Sequence, residues 1–544
     1  MGSPCRWAGD GAGRVGRAIT GWFLLVLAVM VTQAVAVWPA VAQDTPAPFG
    51  AASDTILAWG SNFFGELGNG TTTNSSTPVA VSLPADTAAV AIAAGDAHSV
   101  ALTAAGTVLA WGDNSHGQLG DGTGADSLTP VGVNLPAGVT ASAVAAGRDH
   151  SVALTSAGAV LAWGGNSFGQ LGDGTVVDRS TPVAVALPPS TTVTAVAAGA
   201  THSVALTSAG TALAWGGNSF GQLGDGTVVD RSTPVAVALP PSTTVTAVAA
   251  GGNHSVALTS AGTALAWGRN FFGQLGDGTV VDRSTPTVVS LPAGVTASAV
   301  AAGRIHSLAL TTAGGVLAWG NNTFGQLGDG TTTTSSSPVS VTLPAATTIT
   351  AISARDSQHS VAMTSAGAAL SWGRNLRGQL GDGTTTNRST PVDVDLPAGV
   401  TVTSIAAGDD HSLALTAPPT STTTLQVTPA NPTADQDITL TATVTCNVDT
   451  PTGTITFRTN TTTLATMPLT TSATHTTTLP TGTHTLTAHH TSTNTCPNSQ
   501  SPPTTITINP DLPITGPTLT TTTGAATLSI LAGATLIYAA RRLA

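Results

Sequence analysis

Between residues 56 and 416 the apolar positions fall into short runs of Val, Ala and Leu, punctuated by Gly, Pro and Asp-Gly. In one stretch the runs cover 182–187, 193–198, 202–207 and 211–215. Apolar runs of this length between turn residues predict β-strands. Polar alternation is nearly absent within them, so each small sheet should bury both faces.

The pattern repeats. Trp59, Trp111, Trp163, Trp215, Trp267, Trp319 and Trp372 recur in step with His98, His150, His202, His254, His306, His359 and His411, at intervals of 52 residues with one of 53. Two residue types sharing one period mean seven copies of a single supersecondary unit. Four antiparallel strands per copy, packed on neighbours front and back, describe a propeller blade. Within the array a Gly-containing hairpin joins the His-Ser and Leu-Ala-Trp-Gly segments, as in 202–216. The array nevertheless opens with a lone Ile56-Leu-Ala-Trp-Gly60 and closes with a lone His411-Ser-Leu-Ala-Leu-Thr416. Pairing these ends would complete a seventh blade and leave no open sheet edge in the ring. The propeller is therefore drawn at 51–417.

Residues 418–424, Pro418-Pro-Thr-Ser-Thr-Thr-Thr424, read as a linker. Alternating runs at 439–445, 453–457, 476–479 and 482–488 then predict a small β-sandwich over 425–510. A glycosylated Thr-rich stalk is the alternative. The fold expected overall is all-β.

The two ends of the chain carry different signals. Arg6, Arg14 and Arg17 precede an apolar stretch from Trp22 to Val31, and Ala40-Val41-Ala42 precedes Gln43. Residues 1–42 thus read as a secretory signal peptide. Ala34-Val35-Ala36 is a second cleavage option, and Gln33 and Pro39 break the run too early for a membrane anchor. Cleavage removes Cys5 and leaves Cys446 and Cys496, an even count that favours a disulfide in an exported chain. At the other end Leu512, Pro513, Ile514, Thr515 and Gly516 precede an apolar run over 525–540 and Arg541-Arg542, making 512–544 one unit.

Composition narrows the partners. Only 8% of residues are charged, net charge is −11, and all 16 basic residues are arginine. No basic stripe is available for nucleic acid. Without lysine the chain offers no amine for pilin-type cross-linking.

The strings Trp-Gly-x-Asn, Gly-Gln-Leu-Gly-Asp-Gly and Gly-x-x-His-Ser-x-Ala-Leu-Thr resemble the regulator of chromosome condensation repeat family, over all seven copies. That resemblance implies a seven-bladed propeller closed by strand exchange. Val427-Thr-Pro, Pro451-Thr-Gly-Thr-Ile-Thr-Phe and Leu479-Pro-Thr-Gly-Thr-His-Thr-Leu-Thr look like a bacterial immunoglobulin-like domain. The C-terminal unit resembles a sortase sorting signal of Gram-positive surface proteins. This last resemblance implies cutting between Thr515 and Gly516 and coupling of Thr515 to peptidoglycan, with sortase as partner and the membrane engaged only transiently through the tail.

Candidate chemistry is sparse. Residues one blade apart are spread round a ring, so seven histidines cannot converge on one metal; each is expected to bond local backbone, and each Trp to pack between blades. The Asp-Gly turns (Asp121, Asp173, Asp225, Asp277, Asp329 and Asp382, with Asn69 in the first copy) supply one carboxylate each, too few ligands for calcium. No cofactor or metal is expected, and no nucleophile–base or paired-carboxylate grouping stands out, so the protein reads as a non-enzyme. The positions that vary between copies are more informative. They include Asp96, Arg148, Asp149, Arg304, Asp409 and Asp410 before His-Ser, and Phe63, Phe64, Phe271 and Phe272 after Asn. Variable side chains on a constant scaffold are candidate ligand contacts. Residues 163–214 and 215–266 are almost identical, as after a recent duplication.

The expected function is that of a secreted protein attached to the Gram-positive cell wall. Its propeller would bind an extracellular protein or glycan from an immunoglobulin-like spacer. Resemblance to secreted propellers suggests inhibition of β-lactamase-like enzymes as an alternative. Guanine-nucleotide exchange, known in the repeat family, ranks last, because an exported chain meets no GTPase and the period leaves no room for an inserted wedge.

Overall fold

Val193–Ala198, His202–Thr207, Ala212–Gly216 and Arg231–Ala236 pair antiparallel in that order into one sheet. The computed structural model describes residues 55–355, 357–460 and 462–510, and every regular element in them is a strand. The segments read as a signal peptide and a sorting signal, the latter including Leu512, Pro513, Ile514, Thr515 and Gly516, lie outside the described residues.

The two middle strands of a blade are buried along their whole length. Successive side chains point to opposite faces, and both faces meet a neighbouring blade. Trp215 and Leu213 pack with Leu171, Val185 and Val193 on one side. Val204, Leu206 and Ala214 join Trp267 on the other. This is why the runs are apolar without alternation. The first strand of each blade meets its counterparts in adjacent blades and so lines the axis.

The fourth strand is the outer edge. It spans Arg179–Ala184 in the second blade, not the 182–187 expected. Arg179 opens it by pairing with Asp173 at 2.8 Å, and the Leu187 N–H turns back to the Val185 carbonyl just beyond it. Pro182 is tolerated because an edge strand has a neighbour on one side alone.

Seven such sheets form, and the ends of the array close the ring. Ile56–Gly60 pairs with His411–Thr416 in continuous register, Ile56 opposite Leu415 and Gly60 opposite His411. The closing blade thus runs Val402–Ala407, His411–Thr416, Ile56–Gly60, Ser75–Ala80.

Beyond the ring, Ser421–Thr428, Ile438–Cys446 and Ser472–Thr477 form one sheet. Thr462–Leu469, Gly453–Thr459 and Gly482–Ser492 form the second, where Ser499–Gln500 and Thr504–Ile508 pair with opposite halves of the long strand. Leu440, Ala442, Val444, Ile455, Phe457, Leu486 and Ala488 make its core. This is a folded sandwich, not a solvated stalk. Its first strand occupies most of the segment read as a linker, because Thr423 is buried there and bonds Ser499. Cys446 and Cys496 are disulfide-bonded, with Cα atoms 5.9 Å apart.

Candidate binding face

The Gly-x-x-His loops join the first and second strands of each blade, and the Trp-Gly-x-Asn loops follow the third. Main-chain bonds hold the two together: Asp113 N–H donates to Ala97 O, Gly165 N–H to Asp149 O, and Arg374 N–H to Gln358 O. Both sets of variable positions therefore share one face, the first near the axis and the second outside it.

Beneath that face identical bonds join blade to blade, with Nδ1 of each of the seven histidines left buried and unpartnered. His150 Nε2 meets Ser203 Oγ of the next blade at 3.0 Å, and the same contact recurs at all seven joints, including His411 to Ser99 across the closure. Ser203 Oγ and the Trp215 indole N–H both donate to the Gln170 carbonyl, each at 2.9 Å. A serine whose proton is committed there must accept from the imidazole, which assigns the neutral Nε2–H tautomer. Burial pulls these histidines down to about 3 in five cases and about 4 in His98 and His202. The expected local-backbone partner is thus replaced by a serine 53 residues on, or 54 at the irregular copy. Gly199 is required where the imidazole crosses it: a Cβ would lie 2.4 Å from both His202 Cε1 and Gly251 O.

The turn aspartates are likewise committed. Asp225 Oδ1 accepts from Thr227 N–H and Oγ1–H, and Oδ2 from Arg231 Nε and Nη2 at 3.1 and 2.9 Å. Burial pushes its pKa up, but the donors from Thr227, Arg231 and Asn218 outweigh that and hold it below the usual carboxylate range. Among the described residues no group of three or more His, Cys, Asp or Glu gathers to hold a metal.

The axial centre is different. Asp96 and Asp409, far apart in sequence, meet across the ring closure. Burial raises both; for Asp409 burial and then the Asp96 charge push it up to about 7. Arg148 Nε lies 3.6 Å from Asp96 Oδ2 and 3.5 Å from Asp149 Oδ2. Arg304 Nη1 is 3.3 Å from Asp409 Oδ2, and Arg374 pairs with Asp410. Next to this cluster is a hollow of about 170 Å³, lined in part by Ala200, Gly252, Arg148, Arg269 and Arg304.

Around the charged centre run aromatics. Phe63, Phe64 and Phe271 are exposed, whereas Phe272 is partly buried edge-to-face against Phe271. Arg377 sits 4.7 Å above the Phe63 ring and Arg269 4.9 Å above Phe220.

Three contributors escaped the sequence reading: the Asp96–Asp409 pair, Arg269 and Arg355. Arg355 lies in the one Gly-x-x-His loop that is a residue longer, and its Nη1 reaches Ala146 O, 209 residues away on another blade, at 3.0 Å. The single 53-residue interval was its signal.

The family model of the RCC1-like domain matches residues 49–355, and that of the regulator of chromosome condensation (RCC1) repeat matches 366–415. The chain belongs to the RCC1-like domain family. The sandwich matches the bacterial Ig-like domain (group 3) over residues 415–509. The RCC1-like part is 35% identical over 275 residues to the ultraviolet-B receptor UVR8 of Arabidopsis thaliana, covering 51% of this chain and 62% of that protein. It is 35% identical over 277 residues to the human E3 ubiquitin-protein ligase HERC2, covering 51% of this chain but 6% of the ligase. The chain thus spans less than two thirds of either relative. Among solved structures, human WBSCR16 has a TM-score of 0.60 at 25% identity, covering 67% of this chain and 99% of that one. Prp20p of Saccharomyces cerevisiae has 0.59 at 26%, covering 68% and 93%.

Proposed function

We propose that this protein is a secreted, wall-attached display protein whose RCC1-like propeller is a non-catalytic binding head and whose immunoglobulin-like domain is a spacer. One observation carries the binding reading: the positions that vary between copies converge on a single face, while the side chains below that face repeat the same interblade joint. Export and attachment rest on the sequence signals at 1–42 and 512–544, with Thr515 as the attachment point. The exposed Phe63, Phe64 and Phe271 favour a protein ligand and keep inhibition of a β-lactamase-like enzyme as the second reading, since aromatic side chains are typical interface anchors.

The test is binding of the full secreted chain to glycan and surface-protein arrays, repeated with Arg148→Ala, Arg304→Ala, Phe63→Ala and Phe271→Ala. A ligand lost with these changes supports the reading. A ligand retained through all four refutes this face as the site. Thr515→Ala should move the protein from the wall fraction to the membrane and medium; an unchanged wall fraction refutes the anchoring.

A further inference from the structure

Arg179, Arg231, Arg283 and Arg388 each clamp a nearly buried turn aspartate at 2.7–3.0 Å, and their guanidinium groups serve the fold. Arg148, on the axial face, is held differently. Arg148 touches Asp96 and Asp149 through Nε at 3.5–3.6 Å, beyond a good charge-assisted bond of about 2.7–2.9 Å.

The hollow beside them has a defined origin. At the loop position where the second and fifth blades carry Arg148 and Arg304, the third and fourth carry Ala200 and Gly252, and the missing side chains leave the space between. Arg269 adds a third guanidinium at its wall, set against the Phe220 ring. Thr201 and Asn253 contribute hydroxyl and amide groups that read hydroxyls rather than charge. Three cations and one carboxylate, Asp96, thus face a small recess, a local excess of positive charge in a chain whose net charge is −11.

We infer that this axial recess is a binding site for a small hydroxylated anion, a carboxylate or phosphate on a sugar-sized body. The inference deepens the proposed binding role and rests on it. At about 170 Å³ the recess is smaller than the roughly 300 Å³ or more of a drug-sized site, so a single acidic unit fits, such as the end of a longer glycan. A planar guanidinium pair presents parallel N–H donors that match either oxyanion.

The neighbouring acids make the binding depend on pH. Asp96, Asp409, Asp149 and Asp410 face Arg148, Arg304 and Arg374 there. As pH falls through about 7 Asp409 takes up its proton, the cluster loses a negative charge, and the arginines are drawn less to the acids and more to the ligand. A carboxylate ligand, whose own charge is constant over this range, should therefore bind more tightly at about pH 6 than at about pH 8.

The experiment is calorimetric titration of the full secreted chain with glucuronate, glucose 6-phosphate, inorganic phosphate and glucose, at both pH values. Glucuronate or glucose 6-phosphate should bind and glucose should not; their ratio tells carboxylate from phosphate. Arg148→Ala and Arg304→Ala place in one blade a residue that another blade already carries, so they fold, and each should weaken binding roughly ten- to hundredfold. Ala200→Leu fills the recess and should abolish binding. Arg458→Ala, in the Ig-like domain, should leave it unchanged. Equal binding of glucose, affinity unaffected by Arg148→Ala and Ala200→Leu, or no heat from any anion at about 10 mM overturns the inference. A surface protein still captured on arrays by the Ala200→Leu variant would leave the wider binding role standing when this one has fallen.

Discussion

Acid should unfold the propeller, and the seven interblade histidines set where. Burial pulls each imidazole down to about 3 or 4 in the folded ring, from its ordinary 6.5. A base whose folded pKa is lowered binds its proton in the unfolded chain first, so stability is complete above about 6.5 and falls with pH down to the folded value. At about pH 5 the loss is about 2 kcal/mol per imidazole and about 14 kcal/mol for the ring. Asp409 acts oppositely. Its folded pKa is raised from 3.8 to about 7, so protonation returns about 3 kcal/mol over the same interval. These two contributions leave a loss of about 11 kcal/mol, against about 5–15 kcal/mol for the whole stability of an ordinary domain; Glu66, Asp96, Asp149 and Asp410, whose carboxyls burial also raises, reduce it further. The assay is urea unfolding followed by tryptophan fluorescence, since the seven ring indoles are fully buried, at steps between about pH 7.5 and pH 4.5. Stability should drop steeply below about pH 6. His254→Gln lowers stability at neutral pH, yet should shrink the difference between about pH 7 and pH 5 by about 2 kcal/mol. Equal stability at about pH 7 and pH 4.5 would refute the neutral-imidazole ring.

Trp215→Ala should cost about 3–5 kcal/mol by leaving a cavity in its joint, whereas Trp215→Phe, which mainly removes the bond to Gln170 O, should cost about 1–3 kcal/mol; denaturant midpoints separate the two. Deleting residues 55–60 strips the partner from His411–Thr416, and calorimetry should then show a broad, low-enthalpy transition in place of a sharp one. An unchanged melting temperature would count against the strand closure. Reducing Cys446–Cys496, which closes a loop with a sequence separation of 50, should destabilise the sandwich by about 4 kcal/mol and leave the propeller transition where it was.

The blade was legible because its strands are short, apolar and repeated, and the lone end segments announced their own pairing. The closing register of Ile56 with Leu415 follows from the same motifs that pair inside every blade. Edges were harder: the outer strand starts three residues early at Arg179, as at the equivalent Ser75, Ser127 and Ser335 in blades without the ion pair, because main-chain pairing with the Trp-Gly segment, not apolarity, places it. The histidine partner was misread because a repeat makes a local contact and a contact one blade away look alike, both recurring at the same period. The Asp96–Asp409 pair was hidden for a further reason. Nothing local marks two carboxylates as neighbours when a ring must close to bring them together. Arg355 had a visible sign in the longer sixth interval, but its reach to Ala146 O depends on which blades face each other across the axis.

Every joint in this ring is made by the same groups, an imidazole bonded to a hydroxyl that shares one main-chain carbonyl with an indole. Any copy can therefore sit beside any other. Recombination between copies can exchange whole modules, as the near-identity of residues 163–214 and 215–266 records, without disturbing a seam. Diversification is thereby confined to the loop tips, where a new combination of side chains arises by shuffling rather than by stepwise mutation. The architecture is a cassette system, one that lets the outer face evolve quickly while its foundations stay fixed.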